Sequence, residues 1–595
     1  MYKSFFGMFI LFAIIASSCK KTSTETNSIL LLNHTGYKLT STKKVVLQTT
    51  SNYNPKTFEV LTTNNEVVFK GKFDDGGQID NWHTGKAYSG DFSSLNSEGQ
   101  FYLKTEVNGS ILKSRVFNID NKNLAQKSLS LLIEGFETQH ISGDFQEKDA
   151  KMTFFGDRKD TVDVSGGWYD ASGDRGKYFS HLCYSNYFNP QQTPLVVWNM
   201  LVASDKYLSE NTPEKAELKN RILKEATYGA DFLMRMNDKD GYFYTNIFAK
   251  WSGKAKDREI CAYETQDGNK TTEYQAGFRE GAGIAIAALA RASKILKSGE
   301  FTSEQYLKTA QKAFNHLLEF NEKYIDDGKE NIIDEYCSLI AASELFEATN
   351  ETKYLEYAQK RMNQLSSRIS NDKKYSGWWR SDETGKRPFF HAVESGFPVI
   401  ALCRYLDIEK DNTNRQKAIE AIKQSVDFEL KITNEVNNPF GYPRQYVKAI
   451  NEETSRSAFF IPHQNETGYW WQGEDSRIAS IASSFYLAQP YLTDNQKKAT
   501  LQMASNGLNW IFGLNPYDVC MVDGIGYNNP DYIEEYNRNF KGGVANGITA
   551  GFEDESDIGF MPLPQNNDGE QKWRWSEQWI PHAAWLILAV CTENE

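Results

Sequence analysis

The segment from Gly166 to Tyr178 (Gly-Gly-Trp-Tyr-Asp-Ala-Ser-Gly-Asp-Arg-Gly-Lys-Tyr) concentrates more chemistry than any other stretch of this chain. Asp170 and Asp174 stand four positions apart, behind two glycines and among five aromatic or cationic side chains. Glycines let a backbone turn tightly and approach a ligand closely. Aromatic rings offer flat apolar faces that exclude water. Two acids framed in this way suit activation of a water molecule beside a sugar ring. An Asx-type turn with solvated acids is the plainer alternative for an isolated Asp-x-x-x-Asp.

A second acidic centre lies near the C-terminus, where Trp573, Trp575 and Trp579 surround Glu577. A carboxyl in apolar surroundings resists ionisation. A proton kept near neutral pH is what a general acid needs. The alternative is a glutamate at a helix N-terminus, favoured by the helix dipole.

Two kinds of element must hold these centres. Residues 28–32, 44–48, 57–62, 66–69, 100–105 and 114–119 read as short strands separated by turn residues, which predicts a β-sandwich of about 90 residues. From about residue 124 the periodicity becomes helical. Amphipathic runs cover 194–208, 214–236, 279–297, 303–322, 331–348, 352–368, 393–407, 414–433, 474–488, 494–512 and 577–592. Eleven or twelve helices joined by long Gly- and aromatic-rich loops suit a toroid of paired helices with the functional residues in loops at one end. An α-solenoid is the alternative, but no fixed repeat period is visible.

The chain has 595 residues and a formal charge of −12, with no long basic run, so nucleic acid is not an expected partner. Lys3 followed by an apolar run to Ile15 is too short for a membrane span and reads as an export signal. Ala16-Ser17-Ser18-Cys19 resembles a bacterial lipoprotein cleavage site, with Cys19 as the lipidated residue. The expected organisation is a signal peptide (1–18), a lipidated tether (19–28), a sandwich (29–120) and a helical domain (124–595), anchored in the cell envelope. An ordinary cleaved signal is the alternative. The other six cysteines are scattered singly, which suggests neither a zinc site nor a disulfide framework.

Taken together the two acidic centres resemble glycoside hydrolase family 9, in the branch with an N-terminal immunoglobulin-like domain. Gly166 to Tyr178 is similar to the family's G-G-W-Y-D-A-G-D-x-x-K-Y segment, and Asp568, Trp573 and Glu577 to its Asp, aromatic and catalytic Glu. Segments 274–281 and 391–398 resemble family helix starts, with Glu394 in place of an Asp. Trp470 to Arg477 resembles W-x-G-E-N-x-R, and Asn33 to Tyr37 the N-Q-x-G-Y opening of the sandwich.

The resemblance implies an all-α (α/α)6 barrel behind a small all-β sandwich, and hydrolysis of β-linked, mainly β-1,4, glucans with inversion. It implies Asp174 as general base, Asp170 as its water-holding partner and Glu577 as general acid. An inverting pair leaves room for water, with carboxyls about 6.5–9.5 Å apart.

Three positions depart from the family pattern. Ser172 is an extra residue between the two acids, a basic His-x-Arg is replaced by the acidic stretch 531–535, and His582 and Ala583 stand where an Asn usually follows the acid. An acidic subsite would suit an amino sugar, so an exo-acting glucosaminidase is the first alternative. A non-catalytic glycan-binding lipoprotein is the second, against which the retained Asp170, Asp174 and Glu577 argue.

Softer candidates for substrate contact are Trp470, Trp471, Trp378, His463, His391 and Tyr527. For the tryptophans core packing is the competing role. No D-x-D-x-D-G loop is present, so neither metal nor cofactor is expected.

Overall fold

The computed structural model describes residues 27–206, 212–295, 299–468, 472–532 and 538–593. Cys19, Trp470 and Trp471 lie outside the described residues.

The N-terminal domain is a sandwich of two sheets. One runs β1 (Ser28–Leu31), β3 (Lys44–Thr49), β7 (Lys86–Asp91), β6 (Gly77–Gln78). The other runs β2 (Tyr37–Lys38), β10 (Phe117–Asp120), β8 (Gly99–Val107), β4 (Thr57–Thr62), β5 (Val67–Lys72), with β9 (Ser110–Lys113) on β8. The strands β2, β6, β7 and β9 are additions to the sequence-based reading. In β3 the three residues Val45, Val46 and Leu47 are all buried. Alternating side chains explain this run. Val45 and Leu47 enter the sandwich core, whereas Val46 joins the core of the helical domain.

The helical domain carries fourteen helices among the described residues: α1 (Leu124–Thr138), α2 (Gly143–Asp149), α3 (Thr193–Lys206), α4 (Pro213–Arg235), α5 (Ala282–Ile295), α6 (Ser303–Tyr324), α7 (Ile332–Thr349), α8 (Thr352–Ser367), α9 (Phe397–Ile408), α10 (Asn412–Asn434), α11 (Asp475–Ala488), α12 (Asp494–Ile511), α13 (Gly569–Ser576) and α14 (Ile580–Thr592). Helices α3, α5, α7, α9, α11 and α14 each pack on the next, and α14 closes on α3. Outside this ring lie α1, α4, α6, α8, α10 and α12, giving an (α/α)6 barrel.

The two rings differ as their sequences require. Inner helices are buried nearly all round, and α14 is buried along its whole length. Outer helix α6 buries only a stripe, Tyr306, Ala310, Ala313, Phe314 and Leu317, at helical spacing. Small residues let inner helices approach closely. A Cβ on Gly283 of α5 would lie 2.8 Å from the Cβ of Cys337 on α7. Helix α1, absent from the sequence-based runs, completes the outer ring. Its Asn123–Gln126 capping box is the local signal that marks its start.

The sandwich docks on the barrel through Trp82, 1% exposed, which packs against Phe440, Phe459, Phe460 and Trp510. Asn33 Nδ2 donates to Asn509 Oδ1 (2.8 Å), and His34 Nε2 pairs with Asp518 Oδ1 (3.0 Å). We expect Trp82→Ala to cost about 3–5 kcal/mol, the range for emptying a buried aromatic site. Chemical denaturation of the two proteins checks this, and a chain trimmed to 124–595 should melt lower still.

Candidate active site

The loops preceding inner helices α3, α5, α11 and α14 meet at one end of the barrel and line a cleft of about 630 Å³. Asp170, Asp174, Trp251, Tyr263, Gln472, Tyr532, Trp573, Glu577 and Trp579 are among its walls.

The Asp-bearing loop is anchored from below. Gly166 (φ +83°) and Gly167 (φ +77°) occupy the left-handed region, and a Cβ on Gly167 would meet the Phe232 ring at 2.9 Å. Trp168 is fully buried and its Nε1–H donates to Glu225 (3.2 Å). The Lys177 ammonium donates to the carbonyls of Val164 (2.6 Å) and Gly166 (2.8 Å) and pairs with Asp149 (2.8 Å), which also takes the Arg258 fork at 2.9 Å. Residues 170–176 then form a tight loop closed by Asp170 N–H to the Gly176 carbonyl (3.1 Å).

Both acids of the loop are buried, Asp170 at 1% and Asp174 at 8% exposure. Asp174 does make an Asx-type turn, accepting from Gly176 N–H (2.7 Å), and it also accepts from the Tyr178 hydroxyl (2.8 Å). Asp170 accepts from Trp579 Nε1–H (2.8 Å) and Gln192 Nε2–H (2.5 Å). Burial raises both carboxyls. For Asp170 the negative charges of Asp174 and Glu577 add to it, and the rise is large. For Asp174 the bonds from Gly176 and Tyr178, the Arg258 charge and Trp251 hold the rise back. Asp174 is therefore the more readily ionised of the two.

The acid opposite is placed by a helix end. Asp568 caps α13, its Oδ1 accepting from Glu570 N–H (3.0 Å). At Glu577 the backbone leaves the helix for extended geometry, and α14 begins only at Ile580, with Pro581 in its first turn. Glu577 is thus a link residue between two helices and not part of the second one. It is partly buried, with an open edge to the cleft. Loss of solvation, reinforced by the Asp174 charge and opposed by Gly173 N–H, pushes its carboxyl up to about 8. A Cβ on Gly173 would lie 2.3 Å from Glu577 Oε1, so any larger residue there would displace the acid. The arrangement offers a protonated carboxylic acid on one wall and an ionisable carboxylate on the other, the requirement for acid–base hydrolysis.

The other candidate residues fall elsewhere. Tyr527 stacks on His34 of the sandwich at 3.5 Å, under the Arg115 guanidinium, at the domain interface. Trp378 is buried with Tyr375, Phe428, Ile432 and Tyr446. His391 is fully buried, its Nδ1 accepting from the N–H groups of Val393 (3.0 Å) and Glu394 (3.3 Å). His463 sits in a loop with its N–H donating to Glu555 (2.7 Å). None of these four is among the lining residues of the cleft.

Conversely, His181, Trp251, Tyr263, Gln266, Asp267, Tyr532 and Glu570 line it without having been singled out. Tyr263 belongs to a small sheet (Lys177–Tyr178, Asn246–Phe248, Glu259–Glu264, Asn269–Thr271) that joins the Asp loop to the loop before α5. Trp251, in the loop Lys250-Trp251-Ser252-Gly253-Lys254, is the one legible signal among them. His582 holds the end of α14 in place: its Nδ1 accepts from Ser476 N–H (2.8 Å), and Nε2 meets Asn546 Oδ1 (2.9 Å). Burial pushes its ring down to about 3, so it stays neutral.

Asp475, the first residue of α11, has both carboxyl oxygens buried without a hydrogen-bond partner among the described residues. Burial, with the Glu474 charge beside it, raises this carboxyl well above its ordinary value. A raised folded-state value means its contribution is intact below the unfolded carboxyl range and is lost as pH rises. We expect Asp475→Asn to be more stable than the parent at pH 7. The gap should close toward pH 4 with a slope of at most about 1.4 kcal/mol per pH unit. Melting curves across that range check the sign.

A barrel of six helical hairpins that sets a neutral carboxylic acid against a pair of aspartates in an aromatic-lined cleft has the parts a glycoside hydrolase needs. The family model "Glycosyl hydrolase family 9" matches residues 126–543, and "Cellulase N-terminal ig-like domain" matches 25–110. The chain belongs to glycosyl hydrolase family 9. It is 24% identical over 574 residues to a cellodextrinase of Butyrivibrio fibrisolvens, covering 88% of this chain and 91% of the relative. The fold is similar to that of a metagenome-derived family 9 endoglucanase (TM-score 0.65, 17% identity, 95% and 99% of the two chains). It is also similar to that of a family 9 protein of Bacteroides ovatus (TM-score 0.63, 18% identity, 95% and 98%).

Proposed function

We propose that this enzyme hydrolyses β-1,4-linked glucan chains or oligosaccharides with inversion, Glu577 acting as general acid, Asp174 as general base and Asp170 as the group that orients the attacking water. The observation that carries this reading is the Glu577 carboxyl, pushed up to about 8 and facing the Asp pair. Glu577 gives its proton to the departing glycosidic oxygen while Asp174 takes one from the water that attacks the anomeric carbon. The relatives named as a cellodextrinase and as endoglucanases support the glucan assignment. Product profiling on cello-oligosaccharides, β-glucans, xyloglucan, glucomannan and chitosan oligosaccharides tests the substrate. NMR of the first-formed anomer tests inversion, and a retained configuration would overturn it.

One observation favours a second substrate class. Among the described residues the cleft is lined by no lysine or arginine, while Asp267 and Glu570 add carboxyls to the catalytic three. Such a cleft favours neutral or cationic sugars and disfavours uronic acids. Turnover of chitosan oligosaccharides above cello-oligosaccharides would shift the assignment to amino sugars.

We also place the enzyme in the cell envelope, tethered through a lipid on Cys19; the apolar run followed by Ala-Ser-Ser-Cys supports this. Cys19→Ala should then move the protein from the membrane fraction to the soluble one.

A further inference from the structure

Ser172 is the residue by which the Asp-bearing loop exceeds the family's segment, and it is stitched to the opposite wall. Its N–H donates to the carbonyl of Gln578 (2.8 Å), and its hydroxyl oxygen accepts from Gln578 N–H (3.0 Å). The same hydroxyl donates to Asn539 Oδ1 (2.9 Å). Asn539 in turn donates through Nδ2 to the carbonyls of Ser576 (2.8 Å) and Pro530 (3.1 Å). Ser576 and Gln578 are the two neighbours of Glu577, and Pro530 leads to Tyr532 on the cleft wall. Phe540, next to Asn539, exchanges two further bonds with the Gln578 amide at 2.9 and 3.0 Å. Ser172 lies two residues from each aspartate, so one hydroxyl ties the base side of the site to both neighbours of the acid.

We propose that Ser172, acting through Asn539, is a positioning residue that sets the separation between the Asp170–Asp174 carboxyls and the Glu577 carboxyl. This inference rests on the hydrolase reading given above. An extra residue between the two acids lengthens their loop, and the added freedom has to be removed if a water molecule is to fit between base and acid. The clamp removes it with groups that do not touch substrate, since neither Ser172 nor Asn539 is among the residues lining the cleft. A misplacement of about 1 Å at a reacting centre costs on the order of a hundredfold in rate. Loss of the clamp should therefore lower kcat and leave KM nearly unchanged. It should also let the two walls drift apart, which weakens the influence of Asp174 on Glu577 and moves the alkaline limb of the pH profile to lower pH.

The test compares Ser172→Ala, Ser172→Thr and Asn539→Asp in the full chain, with Glu577→Gln as the blank. Asn539→Asp keeps the acceptor for Ser172 and loses both donors. The expected result is a kcat lowered about ten- to a hundredfold in Ser172→Ala and Asn539→Asp, KM within twofold, and a shifted alkaline limb. Ser172→Thr, which keeps the hydroxyl, should recover most of the rate. Melting temperatures separate misfolding from mispositioning: if Ser172→Ala does not fold, Asn539→Asp and Ser172→Thr still decide. If the parent hydrolyses a glycan and the folded variants match its kcat and pH profile, the clamp is wrong and the hydrolase reading stands. If the parent hydrolyses no glycan of the panel, both fall together.

Discussion

Glu577→Gln is expected to lower kcat on an unactivated oligosaccharide by about 10²–10⁴-fold, the span for removing a positioned general acid. The amide keeps the shape and the hydrogen bond from Gly173 N–H, so the fold and KM should change little. An aryl glycoside whose leaving group departs without a proton should lose far less, and that contrast separates proton donation from general damage. The pH profile carries the same information. With the parent carboxyl at about 8, activity should fall as pH rises through that value, and the variant should lack this limb. The sign for stability is the reverse. Because the folded-state value is raised, the parent is penalised above the ordinary carboxyl range, so the glutamine variant should be at least as stable at pH 7–8.

What the sequence made legible follows from how local each signal is. Helices α3 to α12 and α14 announce themselves as long runs of helical spacing, an outer helix burying one stripe and an inner one buried almost throughout. Helix α13 and the strand β7 do not. The first is an eight-residue helix of about two turns whose role is to end at Glu577, and the second contains a serine and a glycine and is held by neighbours on both sides.

The same holds for the site. Asp170, Asp174 and Glu577 sit in segments of unusual composition and so could be named. Tyr263, Gln266 and Asp267 come from a sheet and turn of ordinary composition, brought to the cleft only by the pairing of Lys177–Tyr178 with Asn246–Phe248. Tyr527 shows the converse. Its position in a Gly- and Asn-rich loop matched a ligand loop, yet that ring is taken by His34 from the other domain, some 490 residues earlier. Aromatic rings in loops serve domain contacts and ligands alike, and only the tertiary partner decides between them.

Asp174→Asn is expected to lower kcat by about 10²–10⁴-fold as well, because the group removed is the one that accepts the proton of water. Asp170→Asn tests whether the two aspartates are interchangeable. Trp579 N–H and Gln192 N–H each point at one oxygen of Asp170, so an amide there must turn its NH2 toward one of them. That mismatch should cost some rate and stability, but the base would survive. The acidic limb of the profile gives the sharper readout. It should disappear in Asp174→Asn and persist in Asp170→Asn, because Asp170, whose carboxyl is raised the more, is not yet charged when Asp174 ionises. If the limb instead disappears in Asp170→Asn and persists in Asp174→Asn, the roles are exchanged. Such an exchange is what an uncompensated extra residue between the acids would produce. The bonds from Ser172 to Gln578 and Asn539 argue that the residue is compensated, with the loop's added length absorbed at Ser172 and Asp174 left facing the acid.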